Sequence, residues 1–76
     1  MILPDKNITL RYSILGTAAI VLAELNVPHT VSSFWEKVRD LKGVNTFEKF
    51  VLALDFLYSV GLINIEESLL RRFSND

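Results

Sequence analysis

The sequence predicts a mainly α-helical domain of winged helix-turn-helix type, and three observations carry that prediction. Apolar residues recur at helical spacing over three segments, with capping or stop residues beside them. The join between the second and third segments, Gly43-Val44-Asn45, is short and contains glycine, as the turn of a helix-turn-helix does. Two strand-like runs follow Gly61, Leu62 to Glu66 and Leu69 to Phe73. Helix, helix, helix, hairpin is the winged order. A bare three-helix bundle with a disordered tail is the alternative architecture.

Residues 1–10 are expected as an extended arm or short edge strand. Pro4 restricts the residue before it, and Asn7-Ile8-Thr9-Leu10 alternates polar and apolar. The three-helix core is expected over 11–60. Its first helix runs from about Arg11 or Ser13 to Leu25, with Thr9 and Ser13 as N-cap candidates. Asn26 can end it, and Pro28 forbids continuation. Leu15, Ala18, Ala19, Leu22 and Leu25 share one face, while Ile14, Ile20 and Val21 fall elsewhere. A helix apolar nearly all round calls for burial on more than one side.

The second helix is expected from Val31 to Leu41. Ser33 with Glu36 has capping-box spacing, and Thr30 with Ser33 fits it less well. Phe34, Val38 and Leu41 form its apolar stripe, opposite a mixed-charge face. Gly43 supplies a left-handed stop. The third helix is expected from Thr46 to Val60, with Asn45 and Glu48 as its capping box and Gly61 as its stop. Its core stripe reads Phe47, Phe50, Val51, Leu54 and Leu57, leaving Leu52, Phe56 and Val60 as a separate ridge. The wing occupies 62–73. Its turn, Glu66-Glu67-Ser68, lacks glycine, which predicts a loose loop instead of a tight type I′ turn.

At 76 residues the chain is one domain. A domain of this size buries only about 60% of the surface its unfolded chain exposes. Small scaffolds often gain support from disulfides, a metal or a partner. With no cysteine, disulfides and thiolate metal sites are excluded, and one isolated histidine makes a zinc site an unpromising reading. A partner subunit is the expected support. Half the residues are hydrophobic and mean hydropathy is +0.31, more apolar content than so small a domain can bury alone. The apolar stretch Ile14 to Ala23 spans ten residues, where a membrane helix needs about 20. The opening residues lack the basic start and small-residue cleavage site of a signal peptide. The expected setting is therefore cytoplasmic, away from the membrane.

No catalytic constellation, cofactor motif or metal cluster is legible. His29 has no nucleophile placed beside it, the carboxylates are scattered, and the three glycines form no phosphate loop. The chain is expected not to be an enzyme. Nucleic-acid binding would suit the fold, because the last helix of such a motif enters the major groove. Yet eight Lys and Arg stand against nine Asp and Glu, a net charge of −1. That supplies no global drive for phosphate binding. Lys49 with the wing pair Arg71 and Arg72 are the weak nucleic-acid candidates, and the pair can equally partner Glu66 and Glu67.

Protein docking fits the apolar surplus better. Leu52, Phe56 and Val60 recur one helical turn apart. Left in water, such a ridge costs near 25 cal/mol per Å². A second candidate surface joins Ile14 and Val21 to the arm residues Ile2 and Leu3. An arm and wing folded back over these ridges would instead make them core.

Several segments carry a family resemblance. The opening Met-Ile-Leu-Pro-Asp-Lys leads to Ser13-Ile14-Leu15-Gly16, then Thr30-Val31 and Phe34-Trp35-Glu36-Lys37-Val38-Arg39. Asn45-Thr46-Phe47-Glu48-Lys49-Phe50, Leu52-Ala53-Leu54-Asp55 and Gly61-Leu62-Ile63 follow. Together they resemble the small middle components of bacterial ABC-three-component systems, over most of the chain. The resemblance implies a winged-helix-like adaptor without catalytic residues. Its partners would be an SMC/Rad50-like ABC ATPase and an effector, in defence against phage and plasmids. A small DNA-binding transcriptional regulator and a homodimerisation module are the alternatives.

Overall fold

The computed structural model describes residues 6–73, with side chains described from Arg11 onward. Its elements are α1 (Lys6–Glu24), α2 (Val31–Val38), α3 (Phe47–Ser59), β1 (Ile63–Glu66) and β2 (Leu69–Arg72). The order and the C-terminal antiparallel hairpin are those of a winged-helix-like arrangement.

Helix α1 already includes Lys6 to Leu10. This corrects the expected extended arm over 1–10 for the part that is described. Its remainder, with Ile2 and Leu3, lies outside the described residues. Four alternating residues are too few to outweigh helical continuation where neither glycine nor proline stands between Asp5 and Leu15.

Both later helices are capped by threonine: Thr30, the weaker of the two expected caps of α2, and Thr46, one position after the expected Asn45. The Thr30 hydroxyl accepts the Ser33 N–H at 3.1 Å, and the Thr46 hydroxyl accepts the Lys49 N–H at 3.2 Å. Asn45 cannot cap α3 because it sits in the left-handed region at φ 64, inside the turn, while Thr46 is extended. Ser33 is already helical, and its hydroxyl meets His29 Nδ1 at 3.1 Å. Helix α2 ends at Val38, and successive turns bonded Leu41 N–H to Val38 O and Val44 N–H to Leu41 O carry the chain to α3.

That turn is fixed to α1 from two sides. Gly43 lies at φ +99, and a β-carbon there would stand 2.6 Å from Ile20 Cδ1. The buried Thr17 hydroxyl reaches the Gly43 carbonyl at 2.6 Å, closer than its own helix's Ser13 carbonyl at 3.0 Å. One hydroxyl proton serves one acceptor best, and the shorter contact joins two elements. Lys37 of α2 donates to the Glu24 carbonyl at 2.7 Å, satisfying a C-terminal carbonyl of α1 with a cation.

Helix α3 ends in a paired-bond stop. Gly61 N–H reaches Tyr58 O at 3.1 Å and Leu62 N–H reaches Leu57 O at 2.9 Å, with Gly61 at φ +81. Those are the two bonds of a Schellman motif. The hairpin pairs Ile63 with Arg72 through Glu66 with Leu69. Only Glu67 and Ser68 remain in its turn, at φ 53 and 67. Two positive-φ residues between directly paired strands are the mark of a type I′ turn. The expected loose loop is thus corrected: the twist of the paired strands selects the tight turn, and two non-glycine residues bear the strain. A third strand-like segment went unforeseen. His29 and Leu70 exchange both backbone bonds, at 3.1 and 2.7 Å, and so hold the α1–α2 loop to β2.

The core gathers Ala18, Val21 and Leu25 of α1 with Phe34 and Val38 of α2. Phe50, Ala53, Leu54 and Leu57 of α3 meet them, and Ile63 and Leu70 close the hairpin side. The main helix contact is α1 on α3. Ala18 and Ala53, both buried, let such helices approach closely. Aromatic rings run through the α2–α3 seam. His29 stacks on Phe34 at 5.4 Å, Phe34 meets Phe50 at 5.8 Å, and Trp35 meets Phe47 and Phe50 at 5.2 and 5.1 Å.

Candidate docking surface

The buried face of α3 is Phe50, Ala53, Leu54 and Leu57, at helical spacing i, i+3, i+4, i+7. This rotates the expected core stripe. Ala53 replaces Phe47 and Val51 in the core, and those two turn outward with Asp55 and Tyr58. Phe47 is 50% exposed, Val51 36% and Tyr58 56%. On α1 the expected face is also rotated: Ala18 and Leu25 are buried and Leu22 half-buried, while Leu15 and Ala19 are exposed.

Beside that outer face of α3 lies the wing. An open groove of about 340 Å³ runs between them. Val51, Leu54 and Tyr58 form one wall, Ile63, Ile65 and Leu70 the other, and Val31 at the start of α2 sits at its side. Ile65 is 52% exposed. Asp55 is the one charged residue in the lining, and among the described residues no cation pairs with it. The helix places these residues by its periodicity, and the tight hairpin aims Ile63 and Ile65 at the same side, since residues two apart share a strand face.

The sequence candidates fall differently. Val21 is fully buried in the core and so is removed from any surface, a correction that follows from α1 packing on α3 through that face. Ile14 is half-buried. Leu52 and Phe56 are half-buried too, and Phe56 packs against the core; of that ridge Val60 alone is well exposed, at 52%. The groove residues Val31, Val51, Tyr58 and Ile65 were not singled out from the sequence. For Val51 and Tyr58 the signal was the phase of α3, which depends on counting a small alanine as core.

The weak nucleic-acid candidates do not converge. Lys49 is half-buried at the start of α3. Arg71 lies 3.8 Å from Glu66, and with Arg72 it borders a cleft otherwise lined by Leu25, Asn26, Val27, Pro28 and Phe73. The outer face of α3, which a DNA-reading protein would present to base edges, carries Phe47, Val51, Asp55 and Tyr58 instead. Among the described residues there is no group of three or more potential metal ligands, and no helix is long and apolar enough to cross a membrane.

Residues 3–73 match the family model described as ABC-three component (ABC-3C) system Middle Component 6, and the chain belongs to that family. No curated protein and no solved structure matches it.

Proposed function

We propose that this middle component is a non-catalytic adaptor, binding the SMC/Rad50-like ABC ATPase of its system and linking it to an effector in defence against phage and plasmids. The observation that carries the reading is the α3–wing groove. It is open, apolar and placed on the face that a nucleic-acid reader would make polar and basic. Membership of a three-component system supports it, because a middle component has two further components to meet. The one Ser–His contact, the Ser33 hydroxyl at 3.1 Å from His29 Nδ1, has no third group to orient the base: among the described residues nothing bonds the buried His29 Nε2, and the ring stacks on Phe34.

The test is co-expression of the full chain with the other two components, followed by size-exclusion chromatography. Co-elution with both is the expected result. A chain that elutes apart from both overturns the reading. Salt-sensitive, sequence-specific DNA binding lost in Arg71→Ala/Arg72→Ala would transfer the function to the regulator class.

A further inference from the structure

The hairpin leaves one edge open. Leu70 spends both its backbone groups on His29, so it faces away from β1. Its cross-strand partner Ile65 therefore turns its N–H and C=O away from β2, because antiparallel pairs alternate between bonded and non-bonded. Ile63, two residues earlier, does the same. Among the described residues neither has a further backbone partner, but Ile63 is only 3% exposed, so the accessible donor and acceptor on this edge are those of Ile65. The side chains of those two residues line the α3–wing groove. A free backbone donor–acceptor pair and an apolar slot thus lie side by side, which is the combination that strand addition uses.

Charge decides what occupies them. Asp55 is the lone charge in the groove lining and has no cation among the described residues. A second copy paired antiparallel through β1 would set both α3 helices on one side of the joined sheet. That would turn Asp55 of one copy toward Asp55 of the other, with like charges opposed. A foreign segment carrying a Lys or Arg meets Asp55 with the opposite sign.

We propose that the free edge of β1 takes an extended segment of another system component, apolar at alternate positions and bearing one basic side chain that faces Asp55. This inference rests on the adaptor reading and specifies its mode of contact. The test uses the full chain, alone and in complex with the co-expressed components, and reads amide hydrogen exchange at single residues. In the complex the Ile65 amide exchanges at least about tenfold more slowly than in the free chain. Asp55→Lys weakens the complex by about tenfold or more. Ile65→Pro removes an outward N–H at a position where an edge strand tolerates proline, and abolishes the complex while helicity is retained.

A wild-type complex in which Ile65 exchanges as it does in the free chain overturns strand addition and leaves the adaptor reading standing. Protection of that amide that rises with the concentration of the isolated chain assigns the edge to a second copy, and overturns it as well. Should Ile65→Pro fail to fold, the exchange data and Asp55→Lys decide alone. A wild-type chain that binds neither component overturns the adaptor reading itself.

Discussion

Helix α3 carries two apolar faces, and the fold uses one of them. Phe50, Ala53, Leu54 and Leu57 are buried against α1 and the hairpin. Val51 and Tyr58 point outward beside the wing, with Asp55 between them. Helix α2 shows the ordinary case, with Phe34 and Val38 inside and charged residues outside. The difference separates stability from recognition. Inner-face residues hold the domain together, and outer-face residues leave apolar area in water for which the domain alone has no use.

Substitutions can break or sharpen that contrast. The largest effect is expected at the inner face. Phe50→Ala empties the centre of the aromatic seam and costs about 3–5 kcal/mol, read by denaturant unfolding. In so small a domain that approaches the whole stability. Next comes the joint that sets α3 against α1. Gly43→Ala forces a positive φ on a side chain and drives its β-carbon against Ile20, for a loss of about 2 kcal/mol by the same measurement. Thr17→Val keeps the shape but leaves the Gly43 carbonyl without its side-chain donor, for a loss of about 1–2 kcal/mol. The wing tip runs the other way. Glu67→Asn with Ser68→Gly supplies the residues a type I′ turn prefers and raises stability by about 0.5–1 kcal/mol, seen as a higher thermal midpoint. A loss there would show that the strain lies elsewhere.

The architecture was legible because its signals are local. Gly61 marks the end of α3, and helix, helix, helix, hairpin follows from apolar spacing and punctuation. What escaped depends on tertiary contact. Val21 reads as one more apolar residue until α1 packs on α3 through it. Ala53 looks dispensable by size, yet its smallness suits the helix contact, and counting it as core rotates the whole stripe. Leu52 and Phe56 looked like a ridge for the same reason, and the structure half-buries them. The His29–Leu70 bridge has no periodic signal, since a single residue pair cannot show alternation. The groove joins α3 to a hairpin through the register of β1 and β2, which sequence spacing alone does not determine.

The central claim is that the outer face of α3 and the wing serve recognition and not folding. The double variant Tyr58→Ser/Ile65→Thr tests it most directly, because both side chains line the groove and both are more than half exposed, at 56% and 52%. Thr keeps the β-branched preference of the strand. Its unfolding free energy should stay within about 0.5 kcal/mol of the parent, while co-elution with the other system components is lost. An unfolded variant, or a folded one that still co-elutes like the parent, would contradict the account.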